Sequence, residues 1–88
     1  MLNSSELPNI RFKATKFREG YDMDQVDAFL EQVRASLQAC ERRLPPQLTS
    51  EGIVNARFQP TKFRQGYDQD QVDDFLDTAT LALRSYGH

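Results

Sequence analysis

Residues 11–30 and 57–76 spell almost the same sequence, and that repetition constrains the fold more than any other feature. RFKATKFREGYDMDQVDAFL and RFQPTKFRQGYDQDQVDDFL agree at fifteen of twenty positions without a gap, at a spacing of forty-six residues. The register extends outward: Leu2 matches Leu48, Ser4 matches Ser50, Leu7 matches Ile53, Asn9 matches Asn55, and Leu37 matches Leu83. A fixed period of this length means one supersecondary unit used twice. The units are expected at 1–44 and 45–88, each with a lead-in (1–21, 45–67) followed by a helix (about 22–44, about 68–86). Together they account for the 88 residues, and no separate catalytic domain is expected among them.

Each unit announces its helix. Asp22 and Asp68 stand where an N-cap accepts from the amide three residues on, and Gln25 and Gln71 stand where a capping-box side chain reaches back. Tyr21 with Val26, and Tyr67 with Val72, have the spacing of a hydrophobic staple. Asp24 and Asp70 place negative charge in the first turn, against the helix dipole. Gly20 and Gly66, just before each Tyr, suggest a backbone angle that other residues resist. Beyond the caps, apolar residues recur at intervals of three and four. Val26, Leu30, Val33, Leu37, Cys40 and Leu44 form one heptad-like seam; Val72, Leu76, Ala79, Leu83 and Tyr86 form the other. Pro45 and Pro46 end the first helix near Leu44.

Such a stripe needs cover, since each fully buried Leu or Val contributes roughly 1.5–3 kcal/mol. The expected class is therefore all-α: two loop-plus-helix units pairing as a short parallel coiled-coil-like pseudodimer. The competing arrangement is an antiparallel hairpin that dimerises into a four-helix bundle. The lead-ins, with Phe12, Phe17, Phe58 and Phe63 at repeated spacing, read as ordered loops.

Charge and cysteine narrow the function. Net charge is −2, unlike the strongly basic footprint of a nucleic-acid binder. The charge is segregated, however. Arg11, Lys13, Lys16 and Arg18 precede an acidic stretch holding Glu19, Asp22, Asp24, Asp27 and Glu31, and the second unit repeats the arrangement. The lone Cys40 excludes an intrachain disulfide and suits a reduced cytosolic compartment. No apolar run of eighteen residues and no signal-peptide core is present, so any membrane contact is expected to be peripheral. No metal-ligand spacing, phosphate loop or nucleophile–base pair is spelled, and neither a cofactor nor enzymatic activity is expected. The Asp clusters read as caps and a solvated face, since no calcium loop with its closing Glu follows.

The pattern from Leu48-Thr49-Ser50 through Ile53, Asn55 and Phe58 resembles the N-terminal domain of DivIVA-family proteins. So does the core Phe63-Arg64-x-Gly66-Tyr67-Asp68-x-Asp70-x-Val72-Asp73-x-Phe75-Leu76. The first unit matches through Leu2, Asn9, Phe12 and Phe17 to Leu30. The resemblance implies a bacterial cytoplasmic protein that marks curved membrane at poles or septa and recruits division or growth machinery. It also implies a parallel helical dimer whose lead-in loops present an aromatic and a basic residue to the bilayer. By position these are Phe17 and Arg18, and Phe63 and Arg64, with Lys16 and Lys62 beside them. Expected partners are a second copy or another family member, division proteins, and an anionic membrane surface. The rival reading is a protein-interaction adapter in which these Phe residues are core and the acidic faces dock a basic partner.

Overall fold

A computed structural model describes residues 1–88. A 3-10 turn (Ser4–Asn9) leads to β1 (Ala14–Thr15), β2 (Gly20–Tyr21) and α1 (Met23–Glu41). The second unit follows as α2 (Ser50–Val54), β3 (Pro60–Thr61), β4 (Gly66–Asp68) and α3 (Gln69–Ser85). Helix accounts for 53% of the chain and strand for 10%, in one four-stranded antiparallel sheet. The expected all-α class is thus corrected to mixed α/β.

The strands exist because the two units complete each other. The order is β1-β4-β2-β3, and every pairing joins one unit to the other. Ala14 faces Tyr67 while its counterpart Pro60 faces Tyr21, and Tyr21 faces Tyr67 at the centre. This is a pseudo-twofold written in backbone pairing. Pro60, which has no N–H to give, sits on the edge strand, where its loss is tolerated. Two- and three-residue strands are too short to show the alternation that betrays a strand in sequence. The lead-ins therefore read as loops.

Gly20 and Gly66 are required for a different reason from the one expected. Neither has a positive φ. A Cβ on Gly20 would lie 2.8 Å from the Tyr67 carbonyl oxygen; one on Gly66 would lie 2.8 Å from that of Tyr21 and collide with the Thr61 hydroxyl. They permit the central strands to approach, not to bend.

The helices leave the sheet side by side in the same direction. Both N-termini follow β2 and β4, and both far ends meet the linker. There Leu48 N–H donates to Ser36 Oγ at 3.1 Å, and Ser50 N–H donates to the His88 carbonyl at 2.9 Å. The seam is largely buried: Val26, Val33, Leu37, Cys40, Val72, Ala79 and Leu83 are all inside, with Leu30 and Leu76 half-buried. Leu7 and Ile53, at equivalent positions in the lead-ins, drop into the same core. The 3-10 turn packs on α1 and α2 packs on α3.

Two expected seam residues fall outside it. Leu44 is 56% exposed and Tyr86 is 42% exposed. The first helix stops at Glu41, a turn before the prolines. Arg43 adopts φ 60, its N–H donates to Cys40 O, and Leu44 N–H donates to Ala39 O. That is a Schellman stop, built with Arg where Gly is usual. Leu44, preceding Pro45, is itself biased away from helical angles. Gly87 (φ 87) closes α3 by the same pattern, with Gly87 N–H to Arg84 O and His88 N–H to Leu83 O.

Candidate functional site

The crossed strands dictate two exposed loops. β1 and β2 flank β4, so the connection 16–19 must cross the other unit's strand, from beside Gly66 to beside Asp68. By the same logic 62–65 crosses β2. A four-residue link crossing a foreign strand has no interior of its own, and its side chains are driven outward. Phe17 is 85% exposed and Phe63 is 77% exposed.

The other four Phe residues show what ordinary packing looks like here. Phe12 meets Tyr67 and Phe75 at ring-centroid distances of 5.4 and 5.8 Å. Phe58 meets Tyr21 and Phe29 at 5.4 and 5.5 Å. These are edge-on or tilted contacts between units, of the favourable kind. Phe17 and Phe63 are left out of that cluster altogether. Phe63 also holds φ 65, a conformation rare for a bulky residue, with Lys62 Nζ 5.5 Å from its ring centroid. Strain of this kind concentrates at sites of function.

The tip cations are tethered across units. Arg64 reaches the Asp22 carboxylate at 3.4 Å, and Arg18 reaches Asp68 at 3.9 Å. Asp22, the N-cap of α1, is held below the usual carboxylate range chiefly by the Gln25 N–H, and further by Arg64. With their side chains 73% and 56% exposed, Arg18 and Arg64 remain open to solvent, so these pairs orient the guanidiniums more than they stabilise the fold. Lys16 and Lys62 are exposed as well. Both tips sit at the helix N-terminal end, away from the linker. Arg11 and Arg57 do not join them, because their guanidiniums turn back onto the carbonyls that end the short lead-in helices.

The caps are rewired in a way the sequence hides. Asp22 and Asp68 accept from Gln25 and Gln71 N–H at 3.0 Å as expected. Gln25 and Gln71 do not reach back to complete a capping box. Gln25 Oε1 accepts from Gln59 N–H at 2.7 Å, and Gln71 Oε1 accepts from Lys13 N–H at 2.6 Å. The cap amides are satisfied by the other unit too, Asp22 N–H by Gln59 O and Asp68 N–H by Lys13 O. Both Gln residues are thus clamps between units. Their recurrence in the two copies was the available signal, but local spacing pointed to the nearer partner.

The staple tyrosines also cross over. Tyr21 donates to Asp73 Oδ1 at 2.9 Å, and Tyr67 donates to Asp27 Oδ1 at 2.7 Å. Tyr21 is pushed up to about 12 by desolvation first and the Asp73 carboxylate next; Tyr67 is pushed up to about 12 chiefly by its hydrogen bond to Asp27. Each brace borders a cleft of about 350 Å³, one beside Phe58 and Arg57, its twin beside Phe12 and Arg11. Neither cleft is lined by a Ser, Cys, His or Lys. Cys40 is buried in the seam, which raises its thiol above the ordinary value. No three His, Cys, Asp or Glu side chains converge as a metal site, and no helix is long and apolar enough to cross a membrane. No protein-family model, curated protein or solved structure matches the chain.

Proposed function

We propose that this chain is a non-enzymatic, DivIVA-like module that attaches peripherally to an anionic membrane surface, at the cytoplasmic face, through Phe17 and Phe63. The carrying observation is that two of six Phe residues stand almost wholly in solvent, at equivalent loops, each between a Lys and an Arg. Inserting one Phe contributes roughly 1.5–3 kcal/mol, and each neighbouring cation about 1 kcal/mol at an anionic surface. One tip alone binds weakly. Two tips fixed in one rigid molecule gain by effective concentration, since the second insertion is intramolecular. The resemblance noted in the sequence supports the same reading and adds a role in division or polar growth with division proteins as partners. The adapter reading needs Phe17 and Phe63 in the core, and their exposure weighs against it.

The test is co-sedimentation with vesicles of mixed zwitterionic and anionic phospholipid at low salt. The wild type should pellet with them, and binding should fall at least tenfold in a Phe17→Ala, Phe63→Ala double variant of unchanged helicity. A wild type that stays in the supernatant would exclude this function.

A further inference from the structure

We propose that two copies of this chain exchange units, the first unit of one closing on the second unit of the other, so that chains link through whole interwoven modules. The partner is a second copy, and the surface is the one already buried within each chain.

The contacts themselves are indifferent to connectivity. Every strand pairing, both tyrosine braces and both glutamine clamps run from unit one to unit two. All of them form equally well when the second unit arrives from another molecule. Exchange of an equivalent element in this way is an inexpensive route to dimers.

The seam decides which units can pair. Val33 and Ala79 are equivalent positions related by the pseudo-twofold, and both are wholly buried in the same cluster. Two first units would oppose Val to Val and overfill the layer; two second units would oppose Ala to Ala and leave a void. Ser36, which receives the Leu48 amide, is likewise matched by Ala82, which has no hydroxyl to offer. Pairing is therefore one-with-two. A chain carrying one of each either closes on itself, swaps reciprocally with a second copy, or continues head to tail.

The linker supplies the hinge. Between Glu41 and Ser50 it has eight residues, 42–49, of which 42–45 are exposed, with Arg43 at φ 60 and two adjacent prolines. Extended, it reaches about 26 Å, well beyond the ~10 Å between packed helix axes. Opening releases Arg43 from its left-handed angle, and Pro45-Pro46 already favours an extended path.

Deleting 43–47 from the full chain leaves three linker residues, too few to return from α1 to the Leu48 site. Sedimentation should then report a dimer of native helicity, against a wild type that is monomeric at micromolar concentration. A natively helical monomer would overturn the proposal. If the variant does not fold, wild-type chains decide. Unlabelled and ¹⁵N-labelled copies are mixed at millimolar concentration, warmed to the unfolding midpoint, cooled, and diluted into native mass spectrometry. Mixed-isotope dimers that survive dilution to micromolar support exchange. Monomers alone, or dimers that fall apart on dilution, refute it.

Discussion

The two ends of this molecule treat the repeat in opposite ways. At the sheet end the units are near copies, and every device there works in duplicate: Tyr21 with Tyr67, Gln25 with Gln71, Gly20 with Gly66, Phe17 with Phe63. Along the buried seam toward the linker end, equivalents differ: Val33 against Ala79 and Ser36 against Ala82. Strands that pair across a pseudo-twofold must satisfy the same hydrogen bonds from both sides, which holds their sequences together. A close-packed seam instead has to fill one volume from two sides, and unequal side chains do so as well as equal ones. Identity between copies thus marks shared geometry, while difference marks complementary packing.

Perturbing the seam should give the largest effects. Leu37 and Leu83 are equivalent and wholly buried, so Leu37→Ala and Leu83→Ala should each lower stability by about 2–5 kcal/mol in urea unfolding. A marked inequality between them would show that the seam is less symmetric at that layer than its burial indicates. The neighbouring layer sharpens the point. Val33→Ala should destabilise through a void, and Ala79→Val should cost about 1–3 kcal/mol through overfilling. The double variant should recover much of both losses, a coupling that two independent sites would not show.

Smaller and pH-dependent is the contribution of the tyrosine braces. Because both phenols are raised from 10.0 to about 12 in the folded chain, their contribution is complete below pH 10. It is lost as pH rises through 12, since the unfolded chain releases those protons first. Tyr21→Phe and Tyr67→Phe should each flatten the fall in stability between pH 10 and 12, measured by thermal melts across that range. The smallest effect is at the linker end: Arg43→Gly removes a left-handed non-glycine and should stabilise by about 0.5–1 kcal/mol.

The comparison also explains what could be read in advance. Helix starts at Asp22 and Asp68 and the Val26-to-Cys40 seam follow from local spacing, which is where periodicity carries information. The sheet was invisible because its strands hold two or three residues and owe their existence to a segment forty-six residues away. Phe12 and Phe17 are chemically the same, and only the crossing of 16–19 over β4 sends one inward and the other into solvent. The glutamines failed for a related reason: a capping box and a clamp to the other unit have identical sequences. Residue type names the interaction, and topology names the partner.

The pairing across units is most directly tested by nuclear Overhauser contacts in the isotopically labelled chain. Cross-strand proton contacts between Tyr21 and Tyr67 and between Ala14 and Tyr67 should be strong. A hairpin closed within one unit, with β1 and β2 of the same copy in direct contact and those signals missing, would contradict the interwoven sheet and the exposed tips that follow from it.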